Sequence, residues 1–153
     1  MRVWRLVSNR RADTAFDGQG AFLAGGRWNP PGIRCVYTSG TSALAVLETL
    51  VHMDKRHFKN NFTMLWADIP DGLAVTSFDE GDLPEGWFMT PAPLILQRMG
   101  AQWAREIPTA VLQVPSPLAP GEYNFILNPR HRGFSDMLIG PPQPYVFDHR
   151  FAG

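Results

Sequence analysis

Five residues of this 153-residue chain have the types and surroundings to act on a bound molecule: Arg27, Tyr37, Glu48, Ser116 and Asn124. Arg27 sits in the run Gly25-Gly26-Arg27-Trp28-Asn29. Paired glycines let a backbone turn and come close to a ligand. The arginine then offers a planar fork of donors for a phosphate or carboxylate. The same run also suits a tight turn with a surface arginine and a core tryptophan. Tyr37 ends a strand-like stretch before Thr38-Ser39-Gly40. Its ring can stack on a flat ligand while its hydroxyl holds a partner, although a half-buried strand tyrosine reads the same way.

Glu48 lies on a helical pattern beside Leu44 and Val51. A lone carboxylate there can offset positive charge developing on a sugar carbon or hold a ribose hydroxyl, or simply be a solvated helix residue. No second carboxylate stands near it in sequence, so a two-carboxylate glycosidase is not indicated. Ser116, in Val114-Pro115-Ser116, lacks the G-x-S-x-G context of a hydrolase nucleophile. Ser116 and Asn124 suit hydrogen bonding to a ligand, and equally the turns that serine and asparagine often form. His52, His57, His131 and His149 have no metal-binding spacing, and Cys35 is the single cysteine. A cysteine-based zinc site and an internal disulfide are thereby excluded, and no metal is expected. Neither a Walker loop nor a G-x-G-x-x-G turn after a strand is present.

The elements that must position these residues are short. Val3–Val7 reads as a strand, 8–32 as an irregular stretch dense in turn residues, and Ile33–Thr38 as a second strand. A helix capped by Thr41 or Ser42 runs to about Met53, with Ala43, Leu44, Val46, Leu47, Leu50 and Val51 as its apolar face and Glu48 at the rim. Strands follow at Phe62–Ile69 and Gly72–Phe78, then an acidic loop over 79–90 and a helix over Pro91–Glu106. Thr109–Val114 and short stretches near 123–127, 134–139 and 144–148 complete the strands. The pattern predicts one α+β domain over 1–153, built on a mixed or antiparallel sheet with a few short helices.

Arg and Lys number 14, as do Asp and Glu, for a net charge of zero. That excludes a whole-molecule electrostatic grip on nucleic acid. It also favours a partner or a homo-oligomer. The balance is uneven, at +4 over residues 1–47 and −4 over 48–106. The N-terminal third can therefore hold an anion. No apolar run approaches the ~20 residues of a membrane span, and the start has no signal-peptide core. A soluble cytoplasmic protein is expected.

The order of these motifs carries more than any one of them. Trp4-Arg5 comes first, then Gly25-Gly26-Arg27-Trp28-Asn29-Pro30-Pro31-Gly32, Val36-Tyr37-Thr38-Ser39 and Ala43-Leu44-Ala45-Val46-Leu47-Glu48. Val114-Pro115-Ser116, Asn124, Asn128-Pro129 and Phe147-Asp148-His149-Arg150 close the series. From about residue 2 to 151 this resembles the RES domain, a family named for its arginine, glutamate and serine. The resemblance implies a fold similar to ADP-ribosyltransferases and diphtheria-type toxins. It implies the toxin of a bacterial toxin–antitoxin pair, whose chemistry cleaves the nicotinamide–ribose bond of NAD. NAD is then a consumed substrate, and no recycled cofactor is implied. The acceptor in such proteins is water, inorganic phosphate or a protein side chain, the last making a mono-ADP-ribosyltransferase. A catalytically inert antitoxin-binding module is a further alternative. The implied partner is a helix-turn-helix (Xre-type) antitoxin that covers the NAD cleft. By position the resemblance makes Arg27, Tyr37 and Glu48 catalytic. Arg5, Arg27, Tyr37, Ser116 and Asn124 become NAD-binding.

Overall fold

The computed structural model describes residues 1–58 and 61–152. The predicted single domain thus extends over three residues, 59, 60 and 153, that lie outside the described ones. Eight strands form one sheet in the order β4-β5-β6-β2-β1-β3-β7, with β8 beside β7 on the same edge of β3. The strands are β1 (Arg2–Ser8), β2 (Val36–Ser39), β3 (Phe62–Asp68), β4 (Val75–Ser77), β5 (Val111–Pro115), β6 (Tyr123–Leu127), β7 (Leu138–Ile139) and β8 (Gln143–Tyr145). Among the described strand pairs, only β4 and β5 run parallel. The helices are α1 (Gln19–Ala24), α2 (Ser42–His52) and α3 (Leu94–Glu106). This is the expected α+β architecture.

Side-chain alternation sorts the sheet into two faces. Val3, Val36, Val111, Phe125 and Leu127 pack together on one. On the other, Cys35, Leu112, Val114 and Ile126 pack under Trp28 and the α3 residues Leu96 and Trp103. Further along that same face, Leu6, Phe62 and Met64 pack under Ala45 of α2. Two helices therefore share one sheet face. Between their territories runs a cross-strand row that pairs Trp4 with Ser39, Ser39 with Asn124, and Asn124 with Val114. A row with two polar members under a gap between helices is where a site can form.

Several boundaries differ from the sequence reading. The stretch 8–32 is more regular than expected, with a 3₁₀ turn at Asn9–Thr14 and the helix α1. Gly18, at φ 75°, turns the chain into α1, and Asp17 Oδ1 accepts the Gln19 N–H at 2.7 Å. The second strand starts at Val36, not Ile33, because the Ile33 carbonyl accepts from Asn29 Nδ2. The strand expected over Gly72–Phe78 shrinks to three residues, and α3 starts at Leu94, after Pro91 and Pro93. The stretch near 134–139 is mostly a 3₁₀ turn, Arg132–Asp136, with a two-residue strand after it.

Candidate active site

Glu48 is delivered to the polar row by α2. Thr41 caps that helix by accepting the Leu44 N–H at 3.1 Å, as read from the sequence. The helix is rolled by about one residue from its expected face. Leu44 and Ala45 are buried and Glu48 is half-buried, while Leu47 and Val51 are exposed. The small Ala45 lets α2 sit close on Leu6 and Met64. That roll turns Glu48 inward from the rim.

Glu48 Oε1 then accepts from Asn124 Nδ2 at 2.6 Å and faces Ser116 Oγ at 3.5 Å. Ser116 is buried, and its Oγ already accepts the Leu118 and Ala119 N–H groups, so its proton is free to point at Glu48. Ser39 Oγ donates to Asn124 Oδ1 at 2.9 Å. An amide whose oxygen is occupied must present its nitrogen the other way. Ser39 thus fixes which end of Asn124 meets Glu48. Sequence reading passed over Ser39. The available signal was its place two residues after Tyr37, on the same strand face.

Arg27 comes from the loop between α1 and β2. Its Nη1 donates to the Trp87 and Met89 carbonyls at 2.8 and 3.0 Å, which leaves its other nitrogens free. Partial burial lowers its pKa, and the charge of Glu48 opposes that shift. Trp28 is buried core and Asn29 is fully buried. Asn29 Nδ2 donates to the carbonyls of Ala21, Pro30 and Ile33, which holds the loop rigid. The turn with a core tryptophan describes this run, with Arg27 half-buried and not on the open surface.

Tyr37 ties this loop to β2. Its hydroxyl donates to Asn29 Oδ1 at 2.7 Å and accepts the Trp28 N–H at 3.0 Å. The expectation that this hydroxyl holds a partner is met inside the protein, and burial pushes its pKa well up. Gly26 is required here, because a Cβ on it would lie 2.6 Å from the Tyr37 hydroxyl.

Arg5 is placed differently from the expectation that it faces the cleft. Trp4 shares the row of Ser39 and Asn124, so alternation sends Arg5 to the opposite sheet face. Strands β1 and β2 pair only at Trp4 and Ser39. Just beyond, Arg5 Nη1 donates to the Tyr37 carbonyl at 2.7 Å, while its buried Nε has no partner. Burial pulls its pKa down to about 10. Arg27, Tyr37, Glu48, Ser116 and Asn124 are therefore brought together on one face, and Arg5 supports them from beneath. The arrangement offers a carboxylate oxygen fixed by Asn124 and Ser116, with the Arg27 guanidinium near enough for the Glu48 charge to act on it. That suits a substrate that is anionic at one end and turns cationic at the other.

Comparison with known proteins gives the same direction. The RES domain matches residues 2–148. A protein of Sphingobium sp. (strain YBL2) named "Prs ADP-ribosylating toxin" is 34% identical over 151 residues, 96% of this chain and 94% of that protein. A "Toxin Res" of Yersinia enterocolitica is 34% identical, over 98% of this chain and 99% of its own length. Among solved structures, the Mycobacterium tuberculosis MbcT–MbcA toxin–antitoxin complex contains a chain with a TM-score of 0.75 and 16% identity. The match covers 95% of this chain and 84% of that one. At that identity the likeness is one of fold.

Proposed function

This chain belongs to the RES domain family, and from that premise we propose that it is the toxin of a toxin–antitoxin pair that cleaves the nicotinamide–ribose bond of NAD. The observation that carries the reading is the hold of Asn124 and Ser116 on one oxygen of Glu48, with Arg27 near enough for that charge to act on it. Arg27 binds the pyrophosphate by charge-assisted hydrogen bonds. The Tyr37 ring packs against the nicotinamide ribose, while its hydroxyl stays committed to the loop. The carbon–nitrogen bond breaks with its electron pair going to the nicotinamide nitrogen, which is cationic beforehand and leaves neutral. Positive charge gathers on the ribose carbon, and Glu48 offsets it and holds the ribose hydroxyls. Water or inorganic phosphate then attacks that carbon. Arg5 serves as a positioning residue through the Tyr37 backbone. No helix among the described residues is long and apolar enough to cross a membrane, and the reading places the reaction in the cytoplasm. A helix-turn-helix antitoxin covering the cleft is the partner it implies.

The test is nicotinamide release from NAD by the purified chain, with and without phosphate, beside Glu48→Gln and Glu48→Ala. Both variants are expected to lose about 10²–10³ in rate, the scale of one preorganised electrostatic group. A phosphate requirement would name the acceptor. A wild-type chain that releases no nicotinamide in either buffer overturns the reading. The second reading, transfer of ADP-ribose to a cellular protein, draws on the relative named "Prs ADP-ribosylating toxin". It predicts release only with lysate, together with a labelled protein band from NAD labelled in the adenosine half.

A further inference from the structure

Three arginines from separate segments meet away from the Glu48 site. Arg34 follows the Asn29–Gly32 turn, Arg105 lies in the last turn of α3, and Arg130 follows β6. They line one concavity of about 270 Å³ whose wall holds no Asp or Glu. Some exposed arginines pair with a carboxylate, as Arg2 does with Asp68, Arg56 with Asp54 and Arg150 with Asp148, while Arg10, Arg11, Arg98 and Arg132 have no ion pair among the described residues. Among the described residues, none of Arg34, Arg105 and Arg130 has an ion pair. The carbonyl end of α3 accounts for one cation beside it. It does not account for three, and the Ala104 carbonyl is already taken by Asn128 Nδ2 at 3.2 Å.

The floor is fixed before any ligand arrives. Asn128 is buried, and its Oδ1 accepts the Arg130 N–H at 3.0 Å. Arg34 is held by the Asp17 carbonyl at 3.2 Å and stacks over Phe22 at 5.0 Å. A second groove of about 470 Å³ adjoins through the shared Arg105 and adds Arg98, Gln97, Gln102 and Glu106, whose carboxylate accepts from Gln102 Nε2 at 3.0 Å. Converging guanidinium groups with no internal counter-ion repel one another, and a phosphate relieves that repulsion with paired, charge-assisted hydrogen bonds. We propose that this concavity binds a phosphate-bearing small molecule, with Arg34, Arg105 and Arg130 on the phosphate and the adjoining groove taking what the phosphate is attached to. The site is separate from the Glu48 cleft and does not depend on the reaction proposed there.

The test is calorimetric titration of the whole chain at low ionic strength with inorganic phosphate, pyrophosphate and ribose phosphate, each against matched chloride. Saturable binding of at least one is expected. Inorganic phosphate as the tightest probe identifies a free anion as the ligand, and ribose phosphate as the tightest identifies a sugar phosphate. Arg105→Ala combined with Arg130→Ala should weaken binding about tenfold or more. Both positions are exposed, so the fold should persist, checked by an unchanged thermal midpoint. Arg10→Ala, outside the cluster, should leave the affinity as it was. The proposal is overturned if no probe saturates, if chloride reproduces the signal, or if the double variant keeps full affinity.

Discussion

At the scale of single residues, the proposed function separates groups that would face a substrate from groups that hold those in place. Glu48 and the free nitrogens of Arg27 belong to the first kind. Ser39, Asn29 and Arg5 belong to the second, and each acts through a named atom. Tyr37 is given both roles by that proposal, although both hydrogen-bonding roles of its hydroxyl are used inside the protein. Tyr37→Phe should therefore act first on stability. It leaves the Trp28 N–H and Asn29 Oδ1 without partners, at about 1–3 kcal/mol for each group so orphaned. A loss of about 2–6 kcal/mol of unfolding free energy in urea denaturation, with a raised KM for NAD and a smaller change in kcat, is the expected result. A kcat loss as large as that of Glu48→Gln, with stability unchanged, would instead make the hydroxyl a direct participant. Most of this was legible in sequence as a list of residues, because Arg27, Tyr37, Glu48, Ser116 and Asn124 do converge. Its direction was not. Whether Tyr37 presents its hydroxyl or its ring depends on Asn29 folding back beneath it, and spacing does not encode that.

At the scale of elements, local chemistry fixed what each segment became, and tertiary contacts fixed how it was turned. Thr41 was readable as a cap, whereas the roll of α2 depended on Ala45 meeting Leu6 and Met64 on a sheet face the sequence could not orient. Arg5 shows the same limit, because alternation within β1 is certain but which face holds the cleft is known only once β1, β2 and β6 are in register. The Arg27 loop likewise depends on α3. A Cβ on Gly100 would lie 1.8 Å from the Trp28 carbonyl oxygen, so the helix and the loop touch backbone to backbone. Gly100→Ala must push them apart. It should cost about 1–3 kcal/mol, typical of overpacking, and lower the thermal midpoint by about 2–4 °C per kcal/mol. Gly81→Ala, with open space around it, is the control and should leave the midpoint nearly unchanged. Because Trp28 carries Arg27 with it, weaker NAD binding should accompany the loss at Gly100 alone.

At the scale of the whole molecule, the balanced total charge conceals a division that the fold makes physical. The basic N-terminal third supplies Arg27 to the cleft and Arg34 to the second concavity, while the carboxylate of the site comes from the acidic middle third. Charge alone sets little of the pH dependence of such a molecule, so its buried proton donors should dominate at alkaline pH. Burial pushes the Cys35 thiol up to about 12 from an ordinary 9.0, and raises the Tyr37 hydroxyl as well. A group whose folded pKa is raised keeps its proton where the unfolded chain has lost it. Its contribution is complete below the unfolded pKa and is lost as pH rises toward the folded one. Arg5 works the other way, since its lowered pKa of about 10 lets the folded state release a proton early and gain stability above that point. The window in which loss acts unopposed therefore lies between about pH 9 and 10. Stability should stay level up to about pH 9 and then fall, with the thiol contributing about 1.4 kcal/mol of the loss by pH 10. Urea midpoints across that window, for the wild type and Cys35→Ala, check it. The variant should lose most of the slope, and an equal slope in both would place the alkaline transition elsewhere in the fold.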